Sequence, residues 1–404
     1  MIPVPEKRVI EFENKAFGMF IHYGLYSQLG KGEWIKHFEN IPDDEYNKLF
    51  DTFDPSGFDA RAIARLAKRA GMKYITLTSR HHEGFSLYDT CGLSDFDAVH
   101  APMCRRDLIR EFVDGCNEEG ITPMFYHTTL DWHEKSFNGD FPAYLQYLRK
   151  SVEVLCTNYG KIGGLWFDGN WSKPDADWEE DKLYAVIRRY QPDAIIVNNT
   201  GLDARGKIGN KEIDSVTYEQ GRPEPMNRDG MEKYVAAEMC YTMNDHWGAG
   251  KLDLNYKSLP ELIETLCACR RAGTNLLLNV GPAADGGILP LQQYLLYGMG
   301  DWINNFGSCI YEAKPCCVKG EGKDFALKNK DKLYLFIHDP GTGGGAAKTR
   351  RFTGVTGKIK SIRFTDSEEE LGFTCENGQL CVEAKPFPYG KNGVVRVAEV
   401  SLSE

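Results

Sequence analysis

Imidazole, indole and carboxyl groups recur in this 404-residue chain at the ends of short apolar runs. In chain order these ends carry His22, the pair His81-His82, Tyr126 with His127, Asp168, Asn198-Asn199, Glu219, Glu238 and Asn279; His133 follows shortly after one of them. A cluster rich in histidine suits two chemistries. The first is metal binding, but the chain has no Cys-x-x-Cys and no His-x-His, and neighbours such as His81 and His82 diverge if both lie on a strand. The second is sugar binding. Trp34, Trp132, Trp166 and Trp247 offer flat apolar faces to a pyranose ring, while His, Asn and carboxylates meet its hydroxyls. The sugar site explains the composition better, so neither a metal nor a cofactor is expected.

Hydrolysis of a glycoside needs two carboxyl groups. Asp168, in LWFDGN, ends an apolar strand where a charge is costly without a role or a partner. Trp166, two residues earlier, shares its face. Candidates for the second carboxyl are Glu219, Glu238, Glu212 and Glu224. Glu219 is favoured because it ends a strand pattern, follows Tyr218 and precedes a Gly/Pro loop. Glu238 lies inside its run and reads as a structural acid or a ligand for a ring hydroxyl.

Rigid elements must position these groups. FGMFIHYG (17–24), KYITLTSRHH (73–82), ITPMFYHT (121–128), GGLWFDGN (163–170) and AIIVNNT (194–200) read as five strands, and DSVTYEQ (214–220), VAAEMCYTM (235–243) and TNLLLNVGP (274–282) as three more. Helical spacing separates most of them, as in Ile63, Leu66, Ala67 and Ala70 before Gly71, or Leu108, Phe112 and Cys116 before Gly120. Ser258 with Glu261 reads as a capping box, and Leu289 to Phe306 as the last helix. No clear helix separates the sixth and seventh strands. Eight such units over residues 1–307 predict an α/β fold, a closed (β/α)8 TIM-like barrel with its active site at the C-terminal strand ends. Residues 308–404 change texture. KLYLFIHD (332–339), KIKSIRFT (358–365), QLCVEAK (379–385) and GVVRVAEVSL (393–402), with turns such as Gly341 to Gly345, predict a C-terminal antiparallel β-sandwich.

Composition narrows the class. Apolar residues make up 42% and charged residues 26%, which suits a folded enzyme rather than a disordered chain. No run reaches the roughly 18 apolar residues of a membrane helix. A net charge of −10 without a Lys/Arg block argues against a nucleic-acid partner. The twelve cysteines lack disulfide-framework spacing and read as reduced thiols. MIPVPEKRVIEFENK shows no signal-peptide pattern, so a cytoplasmic location is expected. Self-association is left open.

Several segments together resemble the α-L-fucosidases of glycoside hydrolase family 29: FGMFIHYGLYS, GEW (32–34), KYITLTSRHHEGFSLYDT, FYHTTLDWH, GLWFDGNW, AAEMCYTMNDHWG and GTNLLLNVGPAADG. The resemblance implies a barrel followed by a β-sandwich, a fucosylated glycan as substrate and a retaining, exo-acting mechanism. It puts the nucleophile at Asp168 and the acid/base at Glu219. It also implies sugar contacts from His22, His81 and His82, from Glu33 and Trp34, from Tyr126 or His127, and a methyl-binding patch of Phe20, Trp166 and Trp247. Two positions depart from the pattern: Thr200 stands where many members have Arg, leaving Arg205 to supply a charge, and Trp247-Gly248-Ala249 replaces Trp-Gly-Tyr. An inactive sugar-binding relative, or a retaining enzyme for another α-glycoside such as an α-galactoside, are the alternatives.

Overall fold

The computed structural model describes residues 1–343 and 345–403; Gly344, inside the turn read at Gly341 to Gly345, and Glu404, at the end of the expected C-terminal domain, lie outside the described residues. Eight parallel strands close into a barrel in chain order: β1 (Phe17–Ile21), β2 (Tyr74–Arg80), β3 (Thr122–Thr128), β4 (Gly164–Asp168), β5 (Ile195–Asn198), β6 (Ser215–Thr217), β7 (Ala236–Thr242) and β8 (Asn275–Val280). Each falls within the run that marks it in the sequence. β1 closes the circle on β8, from Phe17 opposite Leu276 to Ile21 opposite Val280.

Two-residue alternation sorts the side chains. Phe20, Tyr74, Met124, Tyr126, Trp166, Val197, Cys240 and Leu277 fill the interior as one buried cluster. Met19, Ile75, Phe125, Leu165, Phe167 and Leu278 belong to the larger cluster shared with the helices. Those helices start where acids cap them: Asp59, Asp107 and Asp140 accept from Ala62, Arg110 and Ala143 N–H at the heads of Ala60–Arg69, Leu108–Glu119 and Phe141–Asn158. Ser258 caps Leu259–Ala272 in the same way, but the box expected there is half formed, because the Glu261 carboxylate accepts from Tyr241 OH instead. Among the described residues no α-helix separates β5 from β6 or β6 from β7; the first link holds only the 3-10 turn Leu202–Ala204. A seven-residue helix, Lys7–Glu13, which the sequence reading did not mark, covers the barrel floor with Val9 and Phe12.

β2 carries a bulge. Its pairing with β3 shifts between Thr78 and Arg80, so Arg80 turns out of the barrel toward Ser86, Tyr88 and Ser151. The strand ends there, and His81 and His82 lie beyond it. Their rings do not diverge as expected for strand neighbours; the centroids are 4.2 Å apart.

After the helix Pro290–Trp302 and a π turn at Ile303–Gly307, the chain enters a second, antiparallel sheet. Its strands are β9 (Lys314–Gly320), β10 (Phe325–Asn329), β11 (Lys332–His338), β12 (Lys348–Thr353), β13 (Ile359–Phe364), β14 (Phe373–Glu376), β15 (Gln379–Ala384) and β16 (Val395–Leu402), in the order β13-β16-β11-β10-β9-β12-β15-β14. The sheet has a core of its own, including Leu335, Phe352, Ile362, Val382 and Val400. It joins the barrel through Trp302 Nε1–H, which donates to Val395 O at 2.9 Å, and the Phe306–Phe387 ring contact.

Candidate active site

A cavity of about 580 Å³ opens at the C-terminal ends of the barrel strands. Phe20, His22, Trp34, His81, Tyr126, Trp166, Asp168, Glu219 and Trp247 line it. β4 delivers Asp168, two residues past Trp166 and on the same inward face. Gly169 then turns the chain at φ 120°, and a Cβ there would stand 2.5 Å from Leu130 N, so no side chain fits.

Four donors or near neighbours surround Asp168. Tyr126 OH donates to Oδ2 at 3.1 Å, and His82 Nε2 stands 3.5 Å from the same oxygen. Trp171 Nε1–H and Asn199 Nδ2–H donate to Oδ1 at 2.8 and 3.2 Å. Asn199 Nδ2 also donates to Glu219 Oε2 at 2.8 Å, which ties the two carboxylates together. The amide cannot flip at no cost, since its oxygen accepts from Thr217 Oγ1–H at 2.9 Å and from Gly201 N–H at 3.3 Å. Burial pushes the Glu219 carboxyl up to about 7, and the Asp168 charge adds to that.

Burial holds the three histidines neutral. It lowers His22 to about 3 and His82 to about 4, and His81 falls well below the usual range. His22 Nδ1–H donates to Asn279 Oδ1 at 2.7 Å, leaving Nε2 as an acceptor. His82 Nδ1 is likewise taken by Thr128 Oγ1 at 2.7 Å. Nδ1 of His81 is buried without a hydrogen-bond partner, and the ring lines the cavity.

Glu33 and Asn279 act through the Trp247 loop. Glu33 does not reach the cavity lining; its Oε2 accepts from Trp247 and Gly248 N–H at 3.1 and 2.8 Å and so fixes the Trp247 loop. Asn279 holds the same loop from below by donating to Trp247 O at 2.7 Å. Gly248 permits this approach, because a Cβ there would meet Tyr26 at 2.9 Å. Phe20 packs on Trp166 and Trp247 at centroid distances of 5.1 and 5.8 Å, forming the expected apolar patch.

The strand-three expectation narrows to one residue. Of the strand-three pair, Tyr126 faces the cavity. His127 has outward parity and is buried against the helix layer, bonded to Thr128 O and Tyr88 OH. Glu238 lies beneath the floor, accepting from Tyr74 OH and from Trp166 Nε1–H at 2.9 Å. Burial lifts it to about 7, as it does Glu219, so only position separates the two acids. Glu212 pairs with Arg188, and Glu224 is exposed. Arg205 bonds the Glu219 carbonyl oxygen, which puts its charge behind Glu219 rather than beside Asp168. Trp132 backs Trp34 at 5.2 Å, and His133 stacks on Phe96. Among the described residues, no three His, Cys, Asp or Glu groups are placed to hold a metal. Trp171 was not singled out in the sequence, although it stands three residues after Asp168.

The family model described as alpha-L-fucosidase matches residues 5–308. Mouse tissue alpha-L-fucosidase is 28% identical over 395 residues, covering 90% of this chain and 84% of the relative. Among solved structures, alpha-L-fucosidase isoenzyme 1 from Paenibacillus thiaminolyticus superposes with a TM-score of 0.85 at 31% identity, over 98% of this chain and 99% of that one. The family 29 alpha-L-fucosidase of Bacteroides thetaiotaomicron shares the fold, with a TM-score of 0.83 at 23% identity over 100% and 96% of the two chains. The chain belongs to the α-L-fucosidase family, glycoside hydrolase family 29.

Proposed function

We propose that this protein is a retaining exo-α-L-fucosidase acting on fucosylated glycans, with Asp168 as nucleophile and Glu219 as acid/base. One observation carries the reading. A single donor atom, Asn199 Nδ2, reaches an oxygen of each carboxyl at 3.2 and 2.8 Å. Those oxygens can be no farther apart than the two bonds laid end to end. That sets the two carboxyls side by side, as the separation of about 5–5.5 Å in a retaining pair requires.

In the first step Asp168 forms a bond to C1 of the fucose while the bond from C1 to the leaving oxygen breaks. Glu219 gives that oxygen its proton. In the second, the Glu219 carboxylate takes a proton from water as the water oxygen attacks C1, and Asp168 is released. Glu219 suits both roles, since a group titrating near 7 exchanges its proton readily at neutral pH. Neutral His22, His81 and His82 bind hydroxyls without placing a cation against Asp168.

Proton NMR of the first product from an aryl α-L-fucoside tests the proposal. α-L-Fucose should appear before mutarotation; β-L-fucose as first product, or no turnover, would overturn it.

A further inference from the structure

The three pocket histidines are not held alike. His22 donates from its backbone N–H to Val280 O at 3.2 Å and from its ring to Asn279. The His82 ring bonds Thr128, and its carbonyl accepts from Trp132 N–H at 2.8 Å. His81 lies past the end of β2, and its Nδ1 has no hydrogen-bond partner. What packs against it must therefore set its ring. Tyr126 stacks on it at a centroid distance of 5.5 Å, and Tyr26 stands edge-on at 5.5 Å. Tyr26 OH is itself buried without a partner, so its ring is placed through the backbone of the turn Leu25–Gln28.

Glu83 holds that backbone. It stands two residues after His81, is 1% exposed and lies outside the cavity lining, so it takes no part in either step proposed above. Its Oε1 accepts from Leu25 N–H at 3.0 Å, and its Oε2 accepts from Tyr46 O–H. Gly24 leaves room for the carboxyl, because a Cβ there would collide with Oε1. By this point the ladder between β1 and β2 has ended at Ile21 opposite Leu77, and Thr78 Oγ1 follows it by accepting from Tyr23 N–H at 3.1 Å. Glu83 carries the connection into the loops. A carboxyl is costly to bury, and a backbone N–H and a phenol offset that cost here. We propose that Glu83 is a positioning residue for the sugar site: by fastening Leu25 it sets Tyr26 against His81, and so fixes the ring of the pocket histidine whose Nδ1 has no bond of its own. The inference rests on the reading of His81 as a sugar contact.

The test is kcat/KM for an activated aryl α-L-fucoside in a double-mutant cycle of Glu83 with His81. Glu83→Ala should lower it about ten- to hundredfold, the scale of a misplacement of about 1 Å in a binding group. Glu83→Gln should stay within about threefold of the wild type, because its amide oxygen can accept from Leu25 N–H while its amide nitrogen donates to Tyr46. In the His81→Ala background, Glu83→Ala should cost less than about threefold, since no ring is left to place. A residue that only supports the fold would cost the same factor in both backgrounds. If Glu83→Ala does not fold, Tyr46→Phe takes its place in the cycle, with a fall of about three- to tenfold that should likewise vanish beside His81→Ala. If the wild type does not hydrolyse the fucoside, or His81→Ala matches it, the reading of the pocket falls, and this one with it. If His81→Ala is impaired but the Glu83→Ala or Tyr46→Phe loss is absent or equal in both backgrounds, or Glu83→Gln is as impaired as Glu83→Ala, the positioning role alone is overturned.

Discussion

Glu219 and Glu238 illustrate how little a titration alone decides. Both are raised to about 7, chiefly by burial. Only Glu219 faces the cavity and shares a donor with Asp168. In its proposed role as the acid, Glu219 must carry its proton, so kcat/KM should fall as pH rises through about 7. Glu219→Ala should abolish that limb. It should also slow substrates with poor leaving groups by about 10²- to 10⁴-fold while sparing activated aryl fucosides. The same pattern in Glu238→Ala and not in Glu219→Ala would reverse the assignment. Trp247 carries a second prediction. Fucose bears a methyl where galactose bears CH₂OH. Burying the methyl contributes about 0.8 kcal/mol, and burying an unpaired hydroxyl costs about 1–3 kcal/mol. Together these predict roughly 20- to 500-fold preference for the deoxy sugar. Trp247→Ala should collapse the ratio of kcat/KM between the fucoside and its 6-hydroxylated analogue of the same hand. An unchanged ratio would leave Trp247 a packing residue only.

The strands explain both what can be read from the sequence and what cannot. β1 to β5, β7 and β8 are apolar runs bounded by Gly, Pro or charged residues, and such runs are legible. β6 keeps three ladder residues within the run DSVTYEQ, a weaker signal than its neighbours give. The bulge in β2 leaves no mark in composition, so the turning of His81 into the cavity and of Arg80 out of it depends on pairing with β3. Glu219 and Glu238 both lie on inward faces, and their depth along the barrel axis is not written in either segment. The helix Lys7–Glu13 is too short for a periodic signal, and β9 alternates without an apolar face, with every residue but Val318 at least partly exposed. Asn199 was visible as a polar strand end, but its hold on two carboxylates arises from residues twenty and thirty-one positions away. At this scale Glu238 is a floor support for Trp166 and Tyr74, and its titration is a stability effect. Its folded pKa is raised, so the folded chain binds more protons between about 4.5 and 7, and stability falls as pH rises through that window. Glu238→Gln, which mimics the protonated acid, should match the wild type below about pH 4.5. It should be more stable by on the order of 3 kcal/mol at pH 8, read from urea midpoints. Equal midpoints at both pH values would show that Glu238 does not titrate in this window.

The molecule divides its labour between two sheets. Every residue lining the cavity lies between Phe20 and Trp247, and the C-terminal sheet meets the barrel on other surfaces, through Trp302, Phe306 and the Lys323–Glu264 ion pair. Barrel closure, then, is what brings Asp168 from β4 and Glu219 from beyond β6 onto one donor, although 51 residues separate them in the chain. In the proposed mechanism this convergence makes Asp168 the nucleophile of a retaining pair. The most direct measurement is inactivation with 2-deoxy-2-fluoro-α-L-fucosyl fluoride, followed by peptide mapping by mass spectrometry. The 2-fluoro group slows both steps, and the fluoride leaving group restores the first, so the covalent ester accumulates. One fucosyl adduct is expected, on the peptide that contains Asp168, and none in Asp168→Ala. An adduct on Glu219 or Glu238, or turnover of Asp168→Ala at near the wild-type rate, would contradict it.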